Sequence, residues 1–199
     1  MNALTCNGSR VLTPDEVDRI RKVISKPSSR ALFDLLLYTG LRLSEVKQLM
    51  DNPQLFDQER RTITIRSGKA KATQRSRNVT LSENGIEAVK AYLLNPTAPN
   101  SPSAWQMNLI RWSRQAHLQV ITGVAPDSGG SNPYGITVRT SRKSWESWLL
   151  TAFPDRAVYI ALSQGHTEST ALRHYLNLSF TQAEKDTILK EVRGWDHSN

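Results

Sequence analysis

Apolar residues recur every three to four positions over most of this chain, the period of an amphipathic helix. Val17, Ile20, Val23 and Ile24 set the first such stretch, and Thr13-Pro14-Asp15-Glu16 ahead of it has the form of a capping box with proline at the first helical position. A second helix is predicted over 29–38, with Leu32, Phe33, Leu36 and Leu37 on its buried side and Thr39-Gly40 ending it. Leu43-Ser44-Glu45 opens a third, running to Met50 with Ser44 as its cap. The period then shortens to two. Thr62-Ile63-Thr64-Ile65-Arg66 alternates like a half-buried strand, and Arg77-Asn78-Val79-Thr80-Leu81 is its hairpin partner across a long basic tip, 67–76. Helical spacing returns over 82–94, 103–120, 140–151, 155–164, 169–175 and 181–192, while 95–101 and 123–133 are rich in Pro, Gly, Ser and Asn and read as loops. The expected fold class is mainly α with one small antiparallel β-sheet (α+β), without internal repeats or a dividing linker.

Composition narrows the function classes. The 199 residues suit one domain. The longest apolar stretch, Ala31 to Leu37, is broken by Asp34 and falls short of the roughly 18 residues of a membrane span. The N-terminus lacks the basic-then-apolar build of a signal peptide. A single cysteine, Cys6, excludes an internal disulfide and any multi-cysteine zinc site. The histidines at 117, 166, 174 and 197 are scattered and no carboxylates cluster at metal-ligand spacing, so no metal is expected. These features describe a soluble protein of a reducing compartment. Lysine and arginine number 26 against 18 acids, a net charge of +8 that suits a polyanionic partner such as nucleic acid, although a merely soluble basic protein has the same balance.

Three separated segments hold polar residues suited to phosphoryl transfer. In Tyr38-Thr39-Gly40-Leu41-Arg42-Leu43-Ser44-Glu45, leucines on either side anchor Arg42 at a turn between helices, and Glu45 is close enough to orient its guanidinium. In Val138-Arg139-Thr140-Ser141-Arg142, two arginines three apart share a helix face, where like charges repel unless an anion sits between them. In Gln164-Gly165-His166, glycine stops a helix and His166 stands in the turn, with Tyr175 nine residues on. Taken singly, each has a structural reading: a local Arg–Glu pair, a solvated basic face, a capping histidine and a core tyrosine.

Together, and in this order, they resemble the catalytic domain of the tyrosine recombinase (phage integrase) family. Thr39-Gly40-Leu41-Arg42 with Glu45 is similar to the family's T-G-L-R-x-x-E turn, Arg139-x-x-Arg142 to its H-x-x-R box, and Gly165-His166 to its G-H turn, with Tyr175 where the family has its nucleophile. The basic hairpin stands where the family carries a lysine. Counting forward from 62–66 selects Lys69, and counting back from Arg77-Asn78-Val79-Thr80-Leu81, similar to R-x-V-P-L, selects the preferred Lys71. Two departures stand out. Thr80 replaces the proline, and Arg139 replaces the first histidine of the box, so any acid–base duty of that position is lost or moved. The resemblance runs over 12–180, leaving 1–11 as an N-terminal tail and 181–199 as a C-terminal helix and tail.

The resemblance implies a site-specific recombinase or integrase that needs no cofactor. The Tyr175 hydroxyl attacks a DNA phosphodiester to give a 3′-phosphotyrosyl link and a free 5′-hydroxyl, and a second strand's hydroxyl reverses the step. Arg42 and Arg142 clamp the non-bridging oxygens with Arg139 as a third donor, His166 bonds the phosphate or takes the tyrosine proton, and Lys71 or Lys69 protonates the leaving oxygen. It also implies double-stranded DNA as partner, a tetramer on DNA joined through the C-terminal segment, and a cytoplasmic, nucleoid-associated location (host cytoplasm if viral) in the service of a mobile element or phage. A C-terminal helix folded back on its own domain is the equal alternative. Relatives carry a separate DNA-clamping domain ahead of this one, and about eleven residues precede the match here. Whether this chain is a trimmed piece of a longer protein or a short solo recombinase, its own DNA affinity is expected to be weaker and more salt-sensitive than that of a two-domain clamp. The competing readings are a type IB topoisomerase and a DNA-binding domain without chemistry.

Overall fold

One helix that is apolar on nearly every side organises the molecule. A computed structural model describes residues 3–66, 76–99, 101–121, 132–165 and 178–196. Its elements run β1 (Thr5–Cys6), β2 (Ser9–Arg10), α1 (Pro14–Val23), α2 (Pro27–Thr39), α3 (Leu43–Asp51), β3 (Phe56–Asp57), β4 (Thr62–Arg66), β5 (Ser76–Thr80), α4 (Glu83–Leu94), α5 (Pro102–Gln115), α6 (Thr140–Ala152), α7 (Ala157–Gln164) and α8 (Gln182–Glu191). Single 3₁₀ turns lie at Pro53–Leu55 and Pro154–Arg156. From Leu32 to Thr39, α2 buries every residue but Asp34, which Arg21 of α1 meets at 2.7 Å. Such a helix belongs in the middle of a core, and α2 packs between α4 and α6. Trp145 and Trp148 of α6 are fully buried, with Trp145 edge-on to Tyr38 and the Trp148 indole donating to the Leu12 carbonyl at 2.9 Å.

The architecture is mainly helical with small antiparallel sheets, as predicted. The capping box at Thr13 forms in full. The basic hairpin is there too, its strands paired through Ile63↔Val79 and Ile65↔Arg77, and the two-residue β3 extends the sheet to the order β3-β4-β5. Two elements were too short to carry a period: β3, and a ribbon of β1 and β2 within the segment read as a tail. The ribbon is held by Arg10, which is fully buried against Glu16 and donates to the carbonyls of Gln119 and Tyr134.

Helix ends differ in two places. The helix predicted to reach 120 stops at Gln115, because His117 takes a left-handed φ of +52° and the Leu118 amide turns back to the Ser113 carbonyl. The cap of α3 is Arg42 rather than Ser44, and the Arg42 amide is satisfied by the Glu45 carboxylate at 2.7 Å. The C-terminal helix α8 lies on its own domain. Ile188, Val192 and Trp195 are fully buried, Tyr38 donates to Glu191 at 2.6 Å, and the Trp195 indole donates to the Thr80 carbonyl. The predicted helix 169–175 and most of the loop 123–133 lie outside the described residues. Among the described residues, no helix is long and apolar enough to cross a membrane.

Candidate active site

Two glycine turns face each other across one buried arginine. The first ends α2 at Gly40, whose φ of +62° is the left-handed cap that only glycine adopts without strain. A side chain there would also collide with Gln164, which packs directly on it. Leu41 and Leu43 are buried on either side, so the turn is pinned and the intervening Arg42 side chain stays about half exposed at 49%. The second turn ends α7 at Gly165, again left-handed at φ +69°. Arg142, in the first turn of α6, ties the two together. One Nη donates to the Gly40 carbonyl at 2.7 Å and the other to the Gln164 carbonyl.

Arg42 completes the junction. Its Nη1 donates to Glu45 Oε1 at 2.8 Å, and its Nη2 lies 3.4 Å from the Gly165 carbonyl. A third guanidinium, not singled out from sequence, comes from β5. Arg77 Nη2 meets Glu45 Oε2 at 2.9 Å. Arg42 and Arg77 therefore share one buried carboxylate, with Arg142 beside them at the point where two helices end. Burial and then the nearby Arg42 charge pull the Arg142 guanidinium down to about 10, with Arg77 adding to the pull and Glu146 and Glu45 opposing it. Burial likewise lowers Arg77, against the support of Glu45. A cluster in which three guanidinium groups lie this close suits an anion.

The sequence candidates divide accordingly. Arg42 and Arg142 are brought together. Arg139 is the N-cap of α6, its carbonyl accepting the Lys143 amide at 2.9 Å, with an exposed side chain that hydrogen-bonds to no described residue, whereas Arg142 is buried. Lys69, Lys71, His166 and Tyr175 lie outside the described residues. Gly165 is the residue that precedes His166 in the chain, and β5 is the strand that follows the segment bearing both lysines. Arg77 was legible as a charge on the inward side of an alternating strand, a signal that the flanking-motif comparison used only as a landmark.

An anion that relieves the mutual repulsion must stabilise the fold. Sulfate at about 100 times its dissociation constant contributes about 2.7 kcal/mol, a rise of about 5–10 °C in Tm for a chain of this size. Differential scanning fluorimetry in sulfate against sodium chloride of equal ionic strength checks this. Arg42→Gln is expected to abolish most of the difference, and an equal rise in that variant would put the anion elsewhere.

Comparison with known proteins agrees with this fold. Solved structures with the same fold include the XerA recombinase, with a TM-score of 0.59 at 19% identity over 90% of this chain and 62% of that one. The Tn1549 transposon integrase matches in complex with transposon right end DNA (TM-score 0.59, 17% identity) and with circular intermediate DNA (TM-score 0.60, 17% identity). Both of these matches cover 88% of this chain and 64% of the integrase chain. The present chain thus spans somewhat under two thirds of the length of these relatives. No curated protein matches it in sequence. The phage integrase family model matches residues 10–182, a span that takes in the Arg42 turn, the hairpin, the start of α6 and the Gly165 turn in order, and the chain belongs to that family.

Proposed function

We propose that this chain is the catalytic domain, over 12–180, of a site-specific recombinase or integrase that cleaves and rejoins double-stranded DNA through a 3′-phosphotyrosyl link to Tyr175. The observation that carries the reading is that Arg42 and Arg77 share the Glu45 carboxylate while Arg142 ties together the two glycine turns beside them. In the first step the Tyr175 oxygen bonds to phosphorus as the bond to the 5′-oxygen breaks. The phenolic proton leaves to His166, and Lys71 or Lys69 protonates the departing oxygen. A second strand's 5′-hydroxyl reverses the step and releases the tyrosine. Arg42 and Arg142 neutralise the charge that builds on the non-bridging oxygens, the role metal ions fill in other phosphoryl-transfer enzymes. Arg139 adds a donor without proton exchange, since a guanidinium holds its proton throughout the physiological range.

Double-stranded DNA is the partner this reading requires, and the DNA-bound integrase relatives support it. We further read the working unit as a tetramer on DNA joined through residues 181–199, in a cytoplasmic, nucleoid-associated setting (host cytoplasm if viral). In the single chain α8 covers its own core, so joining in this way uses the outward side of α8 or an exchange of its seat for the same seat on a neighbour.

The test is a trap for the covalent adduct. Nicked genomic fragments, which lose the short strand that would reverse cleavage, are incubated with the protein in EDTA, and the attached DNA is sequenced. A protein–DNA adduct that peptide mapping assigns to Tyr175 is expected, undiminished by the chelator. Retained DNA binding with no adduct on any fragment would leave a DNA-binding module and end the enzymatic reading.

A further inference from the structure

Arg77 occupies a place where the strand pattern calls for an apolar residue. On β5 it alternates with Val79, which is 1% exposed, and it pairs across the ladder with Ile65, which is 3% exposed. Period-two alternation puts its side chain on the face that closes over the core, and that side chain is 8% exposed. One Nη reaches Glu45, while Nε and Nη1 are buried and hydrogen-bond to no described residue. A guanidinium left half-satisfied in the interior is costly, and two further cations nearby raise the cost. A methionine or leucine would fill the same space without it. A chain that retains the charge here gains something other than stability.

What Arg77 does is readable from its two neighbours. The Glu45 carboxylate is divided, Oε1 facing Arg42 and Oε2 facing Arg77, while Oε2 also accepts the Arg42 amide at 2.7 Å. Arg42 and Glu45 alone are an i,i+3 pair on one helix turn, held to the rest of the molecule by little beyond that turn's own backbone. With Arg77 holding the second oxygen from a different element, the carboxylate plane is fixed, and the guanidinium it orients is fixed with it. The other edge of Arg77 lies against the second glycine turn. A Cβ on Gly165 would stand 2.6 Å from Arg77 Nε, so the guanidinium occupies the space that glycine leaves open. One side chain thus sets the Arg42 turn and the Gly165 turn against the strand that follows residues 67–75.

We propose that Arg77 is a positioning residue for DNA cleavage: by clamping Glu45 and buttressing Gly165 it holds the half-exposed Arg42 and the turn before His166 in register for the phosphate. This rests on the recombinase reading of the site. Clamps of this kind matter because misplacement of a reacting group by about 1 Å costs on the order of 10²-fold in rate.

Arg77→Met and Arg77→Lys, measured in single-turnover cleavage of nicked DNA beside DNA affinity and Tm, test it. Arg77→Met is expected to keep or raise Tm, because a desolvated charge is removed, to leave DNA affinity within about threefold since Arg77 is not a surface phosphate contact, and to slow cleavage about 10- to 100-fold. Arg77→Lys keeps the charge without the fork and is expected to lose a similar factor, so charge alone does not rescue. Combining Arg77→Lys with Glu45→Gln is expected to cost little more than either alone, because both break one clamp. Cleavage at the wild-type rate in Arg77→Met, a loss that tracks unfolding, or fully additive effects would each overturn the proposal while leaving the recombinase reading intact. Failure of the wild-type protein itself to form an adduct would overturn both.

Discussion

Arg142→Lys is expected to lower the rate of phosphotyrosyl adduct formation by about 10²- to 10³-fold, the loss typical of removing one donor aimed at developing charge. The two residues carry the same charge, so the number of neutralised phosphates and the salt dependence of DNA binding stay as they are. What lysine lacks is the fork. Arg142 spans from the Gly40 carbonyl to the Gln164 carbonyl, joining the end of α2 to the end of α7. An ammonium reaches one of these, and the Arg42 turn and the turn before His166 lose their common tether. Loss of a buried charge-assisted hydrogen bond adds an instability of about 1.5–3 kcal/mol, so rates are compared well below the new Tm. Single-turnover cleavage within about tenfold of wild type would show that Arg142 serves the fold and not the phosphate.

How much of this site could be read in advance depended on the range of the interactions. Arg42 and Glu45 belong to one helical turn, and their pairing is a matter of local geometry that sequence spacing encodes. Gly40 and Gly165 are visible as helix stops because a left-handed cap selects glycine. The convergence itself is not local: Arg142 reaches over 102 positions to Gly40, and Arg77 over 32 to Glu45. No period or spacing reports such contacts, and only the family's ordered boxes pointed toward the first of them. Arg139 shows another limit of spacing, which places it at the start of α6 but does not say that its side chain is exposed while that of Arg142 is buried. Ser44 was similarly passed over as a cap because Glu45, three residues after Arg42, already satisfied the free amide.

The fold divides along the same line. Long periodic stretches such as α2 and α6 were legible because burying a helix face demands the period. The ribbon of β1 and β2 was not, being two residues a side and anchored in part by Arg10 and Glu16, a buried ion pair that reads in sequence as two ordinary surface charges. The direction in which α8 packs was open for a related reason: its apolar stripe fixes which face is buried and says nothing about which molecule buries it.

Trp195→Ala addresses that last point with a large effect. Trp195 is fully buried, stacks on Phe153 at 5.5 Å, meets Tyr159 edge-on at the same distance, and donates its indole N–H to the Thr80 carbonyl at 3.1 Å. Truncating a buried tryptophan costs about 3–5 kcal/mol, and Thr80, at the end of the hairpin strand β5, loses a partner as well. For a domain of this length the expected fall in Tm is about 6–20 °C. Because Trp195 is seated within its own chain, the fall must be the same at every protein concentration. If instead the segment were seated on a second copy in free solution, wild-type Tm would rise with concentration and the variant's would not, since stability would then include association. A loss below about 1 kcal/mol would mean that the seat of α8 seen here contributes little in solution. Deleting 179–199 separates the remaining role. With the cis seat as drawn, truncation exposes the faces that Ile188, Val192 and Trp195 cover and lowers Tm at least as far as Trp195→Ala. A truncated protein that still cleaves a nicked substrate at low temperature but no longer completes strand exchange would assign the segment to assembly as well as to folding, whereas unchanged recombination would remove it from assembly.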